Sequence, residues 1–381
     1  MGNWNRKKRR KKSKKQTIET PHASLAAMAP ILEQKGIFES IHEGVVIPQK
    51  TIAYTPCDKL VLVILSELCG HQTLSEVNWT LRVDEPLLMA FGYEKCPDQS
   101  VLQATLNAAT AESVSQLSSV ASSLFAQHGL FFSHFQQLPS SESATIDFDL
   151  TAGPCSKQAE GAKKGYFAKH KNSYGRQLAR VLVAETSEIV LDQLYPGNQV
   201  SCTAFKEMVY EMERVLSLDE KANRMRIRLR LDGGFGSDDN INFALSRGYQ
   251  LLIKMYSGNR ARVLAESVEK WVSAPTGRQR EKGENATREA AFLTKAHRYC
   301  RKTRQVAIRT SNPKNKSGYS YRVIVTTDPD ASLQTILDDY DERAGVPESD
   351  RRKSHGASSA RITRDWPPEN AANAAFSHNR C

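Results

Sequence analysis

Apolar residues recur at helical spacing through the first third of the chain, with polar residues between them. The two clearest runs are Leu25, Met28, Ile31 and Leu32, and further on Leu60, Ile64 and Leu68. Side chains three or four residues apart lie on the same face of an α-helix. The pattern therefore predicts a helical N-terminal unit over residues 23–138.

The period changes to two after residue 140, in the segment SSESATIDFDLTAG. Ile146, Phe148 and Leu150 fall on one face of an extended chain, and Asp147 and Asp149 fall on the other. This alternation predicts a strand with one buried face and one acidic face.

The segments beyond that strand alternate in type. Two short β-type runs flank Glu185 and Ser187, which predicts a hairpin, and Ser201 is placed to cap a following helix. A further strand, in MRIRLRLDGGFG, is followed directly by Asp232. The order strand, hairpin, helix and strand predicts a mixed α/β sheet flanked by helices.

In the last part of the chain the hydrophobic pattern changes from β-like to helical and is then interrupted. Residues 249–328 are again β-like, and we interpret them as an inserted β-rich unit. A helix begins in ILDDYDERAG, but Pro347 and later prolines interrupt the pattern. Residues 347–381 are therefore expected to be irregular.

The formal net charge of +11 is concentrated at one end of the chain. Nine lysines and arginines lie within residues 6–15 before any acidic residue occurs, which leaves 11 − 9 = +2 for the remainder. A run this dense does not fold on itself, and it releases counterions when it contacts a polyanion such as a phosphate backbone. We expect a disordered arm over residues 1–22 that contacts nucleic acid; a solvated tail is the alternative.

Composition excludes several classes of protein. No apolar run approaches the roughly 20 residues of a membrane span, and no apolar segment follows the basic run as in a signal peptide. A cytoplasmic location is therefore expected. The seven cysteines lack CxxC pairs and none of the nine histidines has ligand spacing, which favours reduced thiols over a zinc site.

Two aspartates stand where predicted strands end, Asp149 and Asp232. If those strands are neighbours in one sheet, the carboxylates come close enough to bind Mg²⁺, which prefers oxygen ligands and leaves positions for water and substrate phosphate. Two such ions support an in-line displacement at phosphorus. An isolated Asp before Gly-Gly is more often a turn residue, so the position of either Asp alone is weak evidence.

Four ordered segments together resemble the DDE transposases of bacterial insertion sequences. They are DKLVLVILSELCGHQTLSEVNWTLRVDEPLLMAFGYEKCPDQSVLQATL, IDFDLTAGP with GAKKGYFAKH, RLRLDGGFGSDDNINFALSRGYQLLIKM, and YDERAG, spanning roughly residues 50–346. The resemblance implies an RNase H-like catalytic domain over residues 139–346, split by the β-rich insertion and preceded by a helical DNA-binding domain at 23–138.

The same resemblance implies an activity and its partners. It implies cleavage of DNA at transposon ends and strand transfer into target DNA, with Mg²⁺ or Mn²⁺ as cofactor. A homodimer on paired DNA ends, in the bacterial cytoplasm and associated with the nucleoid, would carry out these steps. Two other functions stay open: an inactive DNA-binding remnant of a transposase, and a metal-dependent nuclease of the same fold.

The resemblance also implies roles for single residues. Asp149, which lies just before a Thr in DFDLT, matches the first catalytic metal ligand, with Asp147 as the alternative. Asp232 matches the second ligand. Tyr340 and Arg343 match a motif whose arginine binds a transposon-end phosphate as a charged fork.

The third acidic position departs from the family pattern. Pro347 stands where a Glu is expected four residues after Arg343, and Glu348 follows one place late. We take Glu348 as the third catalytic and metal-binding residue, with a frameshift or truncation near Val346 as the hypothesis that explains the departure.

A basic, Gly-rich loop follows the first strand. Lys163, Lys164 and Lys169, together with Lys157 and Lys171, are expected to line the path of DNA past the acidic pair. Tyr166 is available to stack on a base or a sugar. A solvated basic loop is the alternative, with about equal weight.

Overall fold

The computed structural model describes residues 19–51, 53–165, 167, 173–281, 288–315 and 317–343. The basic run at residues 6–15 lies outside the described residues. Residues 19–22, which the sequence analysis assigns to the arm, are held instead on the helical unit, because the Thr20 hydroxyl donates a 2.6 Å hydrogen bond to Asp84. The predicted arm therefore ends before residue 22.

The first third of the described chain is helical, as predicted. Its helices are α1 (Ala23–Gln34), α2 (Ile37–Gly44), α3 (Pro56–Leu68), α4 (Glu85–Ala90), α5 (Gln99–Ala108), α6 (Ala111–His128) and α7 (Leu130–Gln137). Two 3-10 helices, Leu74–Asn78 and Leu81–Val83, lie between α3 and α4.

Helix α3 shows why this sequence folds as a helix. Thr55 accepts a hydrogen bond from the Asp58 amide, and Asp58 accepts one from the Thr55 amide, so that the two residues form a capping box. Pro56 follows Thr55 at the first helical position, where no intrahelical bond is lost. The apolar run behind this start packs in a core of the helical unit, where Leu62 and Leu65 are fully buried.

The rest of the described chain forms one sheet with helices around it. The strands are β1 (Ala144–Pro154), β2 (Lys163–Lys164), β3 (Tyr174–Val183), β4 (Ile189–Pro196), β5 (Ile227–Leu231), β6 (Gln250–Lys254), β7 (Val272–Ser273), β8 (Arg288–Phe292), β9 (Arg304–Ser311) and β10 (Tyr319–Thr326). The helices are α8 (Ser201–Val215), α9 (Lys221–Arg224), α10 (Asp238–Arg247), α11 (Gly258–Ala265), α12 (Gly277–Glu281) and α13 (Leu333–Glu342).

The sheet is mixed, as predicted, and its order is β2-β3-β1-β5-β6-β10-β9-β8-β7, with β4 also paired to β3. Strands β1, β3 and β4 pair antiparallel, and β3 and β4 form the predicted hairpin. Strands β5 and β6 run parallel to β1. Ser201 is the first residue of α8 and Val200 is its N-cap, so the predicted capping role of Ser201 is wrong by one position.

The stretch interpreted as an insertion continues the same sheet. Strand β6, near the start of that stretch, lies in the middle of the sheet beside β5, and β10 pairs antiparallel with β6. Strands β9, β8 and β7 then extend the sheet outward. Within the described residues, this stretch thus lengthens one edge of the sheet.

Alternate residues of the strands enter two different cores. In β6, Leu251 and Ile253 pack in the core that contains α8, α10 and α11. Leu252, between them, packs on the opposite face with Ile336 and Leu337 of α13. The period-two geometry of a strand therefore divides the apolar residues between two helical layers.

None of the helices in the described residues is long and apolar enough to span a membrane.

The core of the helical unit gives a matched test of packing. Leu62 is completely buried and Leu68, on the same helix α3, is 52% exposed. We expect Leu62→Ala to lower the free energy of unfolding by about 2–5 kcal/mol, because it leaves a cavity. Leu68→Ala is the control and should change it by no more than about 0.5 kcal/mol. Chemical denaturation measures both, and equal effects would contradict this packing.

Candidate active site

The parallel pairing of β1 and β5 places Asp149 and Asp232 at neighbouring positions. Phe148 is in register with Leu231. Asp149 follows Phe148 within β1, and Asp232 is the first residue after β5. Phe148 and Leu231 are buried on the α8 and α10 side of the sheet. Because side chains alternate, the aspartates lie on the opposite face, towards α13.

Each of these carboxylates is held by one short hydrogen bond. The Thr151 hydroxyl donates to Asp149 Oδ2 over 2.7 Å, and the Gly234 amide donates to Asp232 Oδ1 over 2.7 Å. The turn after Asp232 packs closely on β6, since a Cβ at Gly236 would lie 2.0 Å from the Lys254 carbonyl oxygen. A residue with a side chain at position 236 would displace this turn.

Asp147, the alternative first ligand, is engaged in a buried ion pair. The Arg230 guanidinium donates two hydrogen bonds of 2.7 Å to its two carboxylate oxygens, in a bidentate fork. A third Arg230 nitrogen donates to the Asp339 carbonyl oxygen of α13 over 2.8 Å. Burial raises the pKa of Asp147, and the Arg230 hydrogen bonds oppose that rise. These contacts favour a structural role for Asp147 and leave Asp149 as the accessible carboxylate.

Helix α13 is attached to the sheet by ion pairs between its acids and arginines from three different elements. The pairs are Arg228–Asp339 at 2.9 Å, Arg280–Asp338 at 2.8 Å, Arg288–Asp341 at 2.6 Å and Arg230–Glu342 at 3.7 Å. Arg288 binds its partner through two nitrogens and is only 10% exposed. This attachment orients the end of α13 over the acidic pair.

Tyr340 and Arg343 lie at that end of α13, beside Asp232. The Arg343 guanidinium lies 5.5 Å from the centre of the Tyr340 ring. Burial raises the pKa of Tyr340, whereas the nearby Arg343 charge lowers it. Within the described part of the chain, the buried Arg343 Nε has no hydrogen-bond partner. A buried guanidinium nitrogen without a partner is costly, so this atom is available to an anionic ligand.

Two further cations adjoin the acidic pair, and the sequence analysis missed both. Lys254 ends β6, next to Asp232, because Ile253 is in register with Leu231. Arg322 of β10 lies near Lys254. Burial and then Arg322 lower the pKa of Lys254, and Asp232 opposes them. The sequence gives no signal for Lys254, because the apolar pattern of β6 does not show that β6 is the neighbour of β5.

Lys163 and Lys164, two of the predicted loop lysines that the structure describes, lie away from the acidic pair. Lys163 and Lys164 form the short, exposed strand β2, which pairs with Gly175 at one end of β3. Gly175 is in register with Pro154, five residues beyond Asp149, or roughly 17 Å along β1. The ammonium groups of Lys157 and Lys164 lie 5.8 and 5.7 Å from the Tyr174 ring centre. These lysines form a separate basic surface at the sheet edge.

Four other predicted residues lie outside the described residues: Tyr166, Lys169, Lys171 and Glu348.

The Arg230–Asp147 ion pair should make the free energy of unfolding depend on pH. Arg230→Met leaves Asp147 buried without its partner, which should cost about 3–5 kcal/mol of unfolding free energy at neutral pH. Without Arg230, burial is the dominant influence on the pKa of Asp147 and raises it further above the unfolded value. The loss should therefore be smallest near pH 4, where the carboxyl is already partly protonated in the unfolded state and more so in the folded state, and should grow as the pH rises.

Urea denaturation of the native chain and of Arg230→Met between pH 4 and 8 measures this effect. The double variant Arg230→Met with Asp147→Leu is the control and should recover much of the loss. A deficit that does not depend on pH would show that the pair is not a charge pair in the folded protein.

Comparison with known proteins assigns the chain to a family. Residues 23–363 match the sequence pattern described as transposase DDE domain, group 1. This match begins before residue 50 and runs past Val346, so it extends further in both directions than the four segments indicate. A search of curated proteins by sequence gives no match.

Two solved structures are distantly similar. The piggyBac transposase synaptic complex with hairpin DNA is 12% identical, with a TM-score of 0.42, covering 94% of this chain and 72% of that chain. The pre-cleavage Mos1 transpososome is 10% identical, with a TM-score of 0.20, covering 53% of this chain and 60% of that chain. The family match covers most of the sequence, and on that basis the chain belongs to the DDE transposases.

Proposed function

We propose that this chain is a metal-dependent DNA transposase that cleaves DNA at transposon ends and joins the freed 3′-hydroxyl to target DNA. The observation that carries the proposal is the meeting of Asp149 and Asp232 on adjacent parallel strands, on a polar face that also holds Lys254 and Arg343. A pair of acids surrounded by cations suits a phosphodiester substrate together with the metal ions that neutralise it.

The acidic pair fits Mg²⁺ or Mn²⁺. Both ligands are carboxylates, and the described hydrogen bonds engage one oxygen of each. Mg²⁺ is commonly bound by one or two carboxylates, with water and substrate phosphate completing its shell. When bound, such ions would activate the attacking hydroxyl and stabilise the leaving oxygen.

The surrounding cations would hold the DNA. Arg343 offers a guanidinium that could form a charged fork with a phosphate, and its Nε, which has no hydrogen-bond partner among the described residues, supports that role. Lys254 and Arg322 add positive charge beside Asp232. The exposed Lys163 and Lys164, with Lys169 in the same loop, would contact the backbone of the same duplex further along.

The strand order supports an RNase H-like core. Three antiparallel strands, β4, β3 and β1, are followed across the sheet by β5 and β6, both parallel to β1. We assign this core to residues 139–346 and the DNA-binding helical domain to residues 23–138. The protein would act as a homodimer that holds two transposon ends. It would be encoded by a bacterial insertion sequence and would work at the nucleoid.

The second candidate function is a DNA-binding remnant without cleavage activity. Pro347 occupies the position of the expected third acid. Among the described residues, no third acidic side chain joins Asp149 and Asp232 in a three-ligand set. In the active form we assign the third ligand to Glu348; in the remnant, DNA binding remains and cleavage is lost.

The metal ligands are tested by cleavage. The substrate is a labelled linear duplex that carries the terminal repeats flanking the gene, incubated with Mg²⁺ or Mn²⁺. We expect Asp149→Asn and Asp232→Asn each to lower the cleavage rate by at least about 100-fold, because changes outside the ligand shell already cost 10- to 100-fold. Asp330→Asn makes the same charge change on an exposed loop and should leave the rate unchanged.

Each outcome separates the candidate functions. Native activity that both variants retain would remove the acidic pair from the mechanism. Binding of the ends by the native chain without cleavage would favour the remnant. Cleavage without joining of a supplied 3′-hydroxyl end would favour a nuclease.

The phosphate contact of Arg343 is tested by the salt dependence of binding. Each phosphate contact adds about 0.9 to the slope of log affinity against log salt concentration. Arg343→Ala should reduce that slope by about 1 and weaken binding at low salt. Arg214→Ala is the control, since Arg214 is 51% exposed on α8, on the other face of the sheet. Fluorescence anisotropy gives both slopes, and an unchanged slope in Arg343→Ala would rule out the contact.

A further inference from the structure

Three potential metal ligands meet in the helical unit, far in sequence from the acidic pair. His22 precedes α1, Cys69 follows α3, and His71 lies two residues further on. One nitrogen or sulfur atom from each lies within 4.8 Å of the others. Cys69 is a free thiol.

Both histidine rings are oriented by hydrogen bonds at Nδ1. His22 Nδ1 lies 3.0 Å from Asp84 Oδ2, and His71 Nδ1 lies 2.8 Å from Ser66 Oγ. Asp84 is itself buried, with a side chain that is 3% exposed. Metal-binding histidines in proteins almost always have such a partner on the second ring nitrogen. The arrangement leaves Nε2 of each ring for another ligand.

A second observation points to a missing ligand. His71 Nε2 is buried, and no described residue is hydrogen-bonded to it. An imidazole nitrogen that is buried without a partner loses its hydration without compensation. A metal ion among the three side chains would satisfy this atom.

We propose that His22, Cys69 and His71 bind a Zn²⁺ ion. Nitrogen and sulfur ligands of this kind suit zinc, and Mg²⁺ would not be retained by them. Tetrahedral ligands at Zn–N and Zn–S distances of about 2.0–2.3 Å lie about 3.3–3.6 Å apart, so the side chains need to move inward by roughly 1 Å. Water takes the fourth position.

The ion would fix the base of the basic arm. His22 lies only 22 − 15 = 7 residues after the last residue of the basic run. Zinc would join this point to the end of α3 and, through Asp84, to the start of α4. It would therefore determine where on the helical unit the arm begins.

Sequence spacing could not reveal this site. Cys69 and His71 are two residues apart, and His22 is 69 − 22 = 47 residues earlier, which is not a zinc-finger pattern. The ligands are brought together only because α1 packs on α4, and Asp84 at the start of α4 contacts both Thr20 and His22.

Cobalt titration of the full-length, chelator-treated protein tests the proposal. Co²⁺ takes the place of zinc and gives a thiolate charge-transfer band only when a cysteine is a ligand. We expect this band to saturate at one equivalent and to disappear when Zn²⁺ is added. Co²⁺ at the acidic pair would give no such band, because those ligands are oxygens, so the result does not depend on the transposase activity.

Variants distinguish specific Co²⁺ binding at His22, Cys69 and His71 from adventitious binding at another thiol. Cys69→Ser should lose the band, and Cys300→Ser, which removes an exposed free thiol, should keep it. Ser66→Ala should keep the band but weaken Co²⁺ affinity by about 10- to 100-fold, since it removes the partner of His71. Zn²⁺ should raise the Tm of the native chain and of Cys300→Ser, but not that of Cys69→Ser.

Absence of the band in the native chain would overturn the proposal, whatever the variants do. A band of equal strength in Cys69→Ser would also overturn it, because another thiol would then be the ligand. Circular dichroism of Cys69→Ser establishes that the variant is folded, and His71→Gln provides a second loss-of-ligand test.

Discussion

The parallel register between β1 and β5 is the constraint on which the site depends. A strand presents alternate side chains to opposite faces, so a shift of one residue would move each aspartate to the apolar face. The register is fixed by Phe148 and Leu231, which are buried together against α8 and α10. The Phe148, Phe205 and Phe235 rings pack with centroid separations of 5.7–6.2 Å. Packing on one face of the sheet thus positions the charged groups on the other.

The face of the sheet that carries Asp149 and Asp232 also carries several arginines, whose charges need acidic partners when they are covered. Helix α13 supplies these acids. The individual pairs differ in importance. Arg280 and Asp338 are 41% and 31% exposed, and a pair of that kind contributes between 0 and about 1 kcal/mol. Arg230 is 6% exposed, and loss of one partner of such a buried pair costs several kcal/mol. Arg230 donates a hydrogen bond to the Asp339 carbonyl oxygen, and Arg288 pairs with Asp341, so these two largely buried arginines hold α13 in place. Arg343 remains as a cation beside the acidic pair.

The sequence predicted the local features of this arrangement well. Alternation in IDFDL and the run before Asp232 identified both strands, and the order of elements predicted a mixed sheet. The sequence could not predict which strands, distant in the chain, pair with each other in the sheet. Hydrophobic period does not specify which strand is the neighbour, so the central place of β6 and the nearness of Lys254 were missed. The sequence did carry one signal for α13. Arg228 and Arg230 alternate on the same face as Asp232, and arginines on a covered face require polar partners, which here are Asp147 and residues of α13.

The proposal that Glu348 is the third metal ligand depends on the backbone geometry after Arg343. In a helix, positions 340, 343 and 347 share one face, because they are separated by three and four residues. A Glu at 347 would therefore lie in line with Tyr340 and Arg343, over the acidic pair. Position 348 is rotated by about 100° from that line. Pro347 also removes the amide that would bond to the Arg343 carbonyl in a continuing helix. The proposed role of Glu348 therefore requires a backbone that is not a regular helix between positions 343 and 348, and a proline at 347, which cannot donate the helical hydrogen bond, is compatible with that requirement.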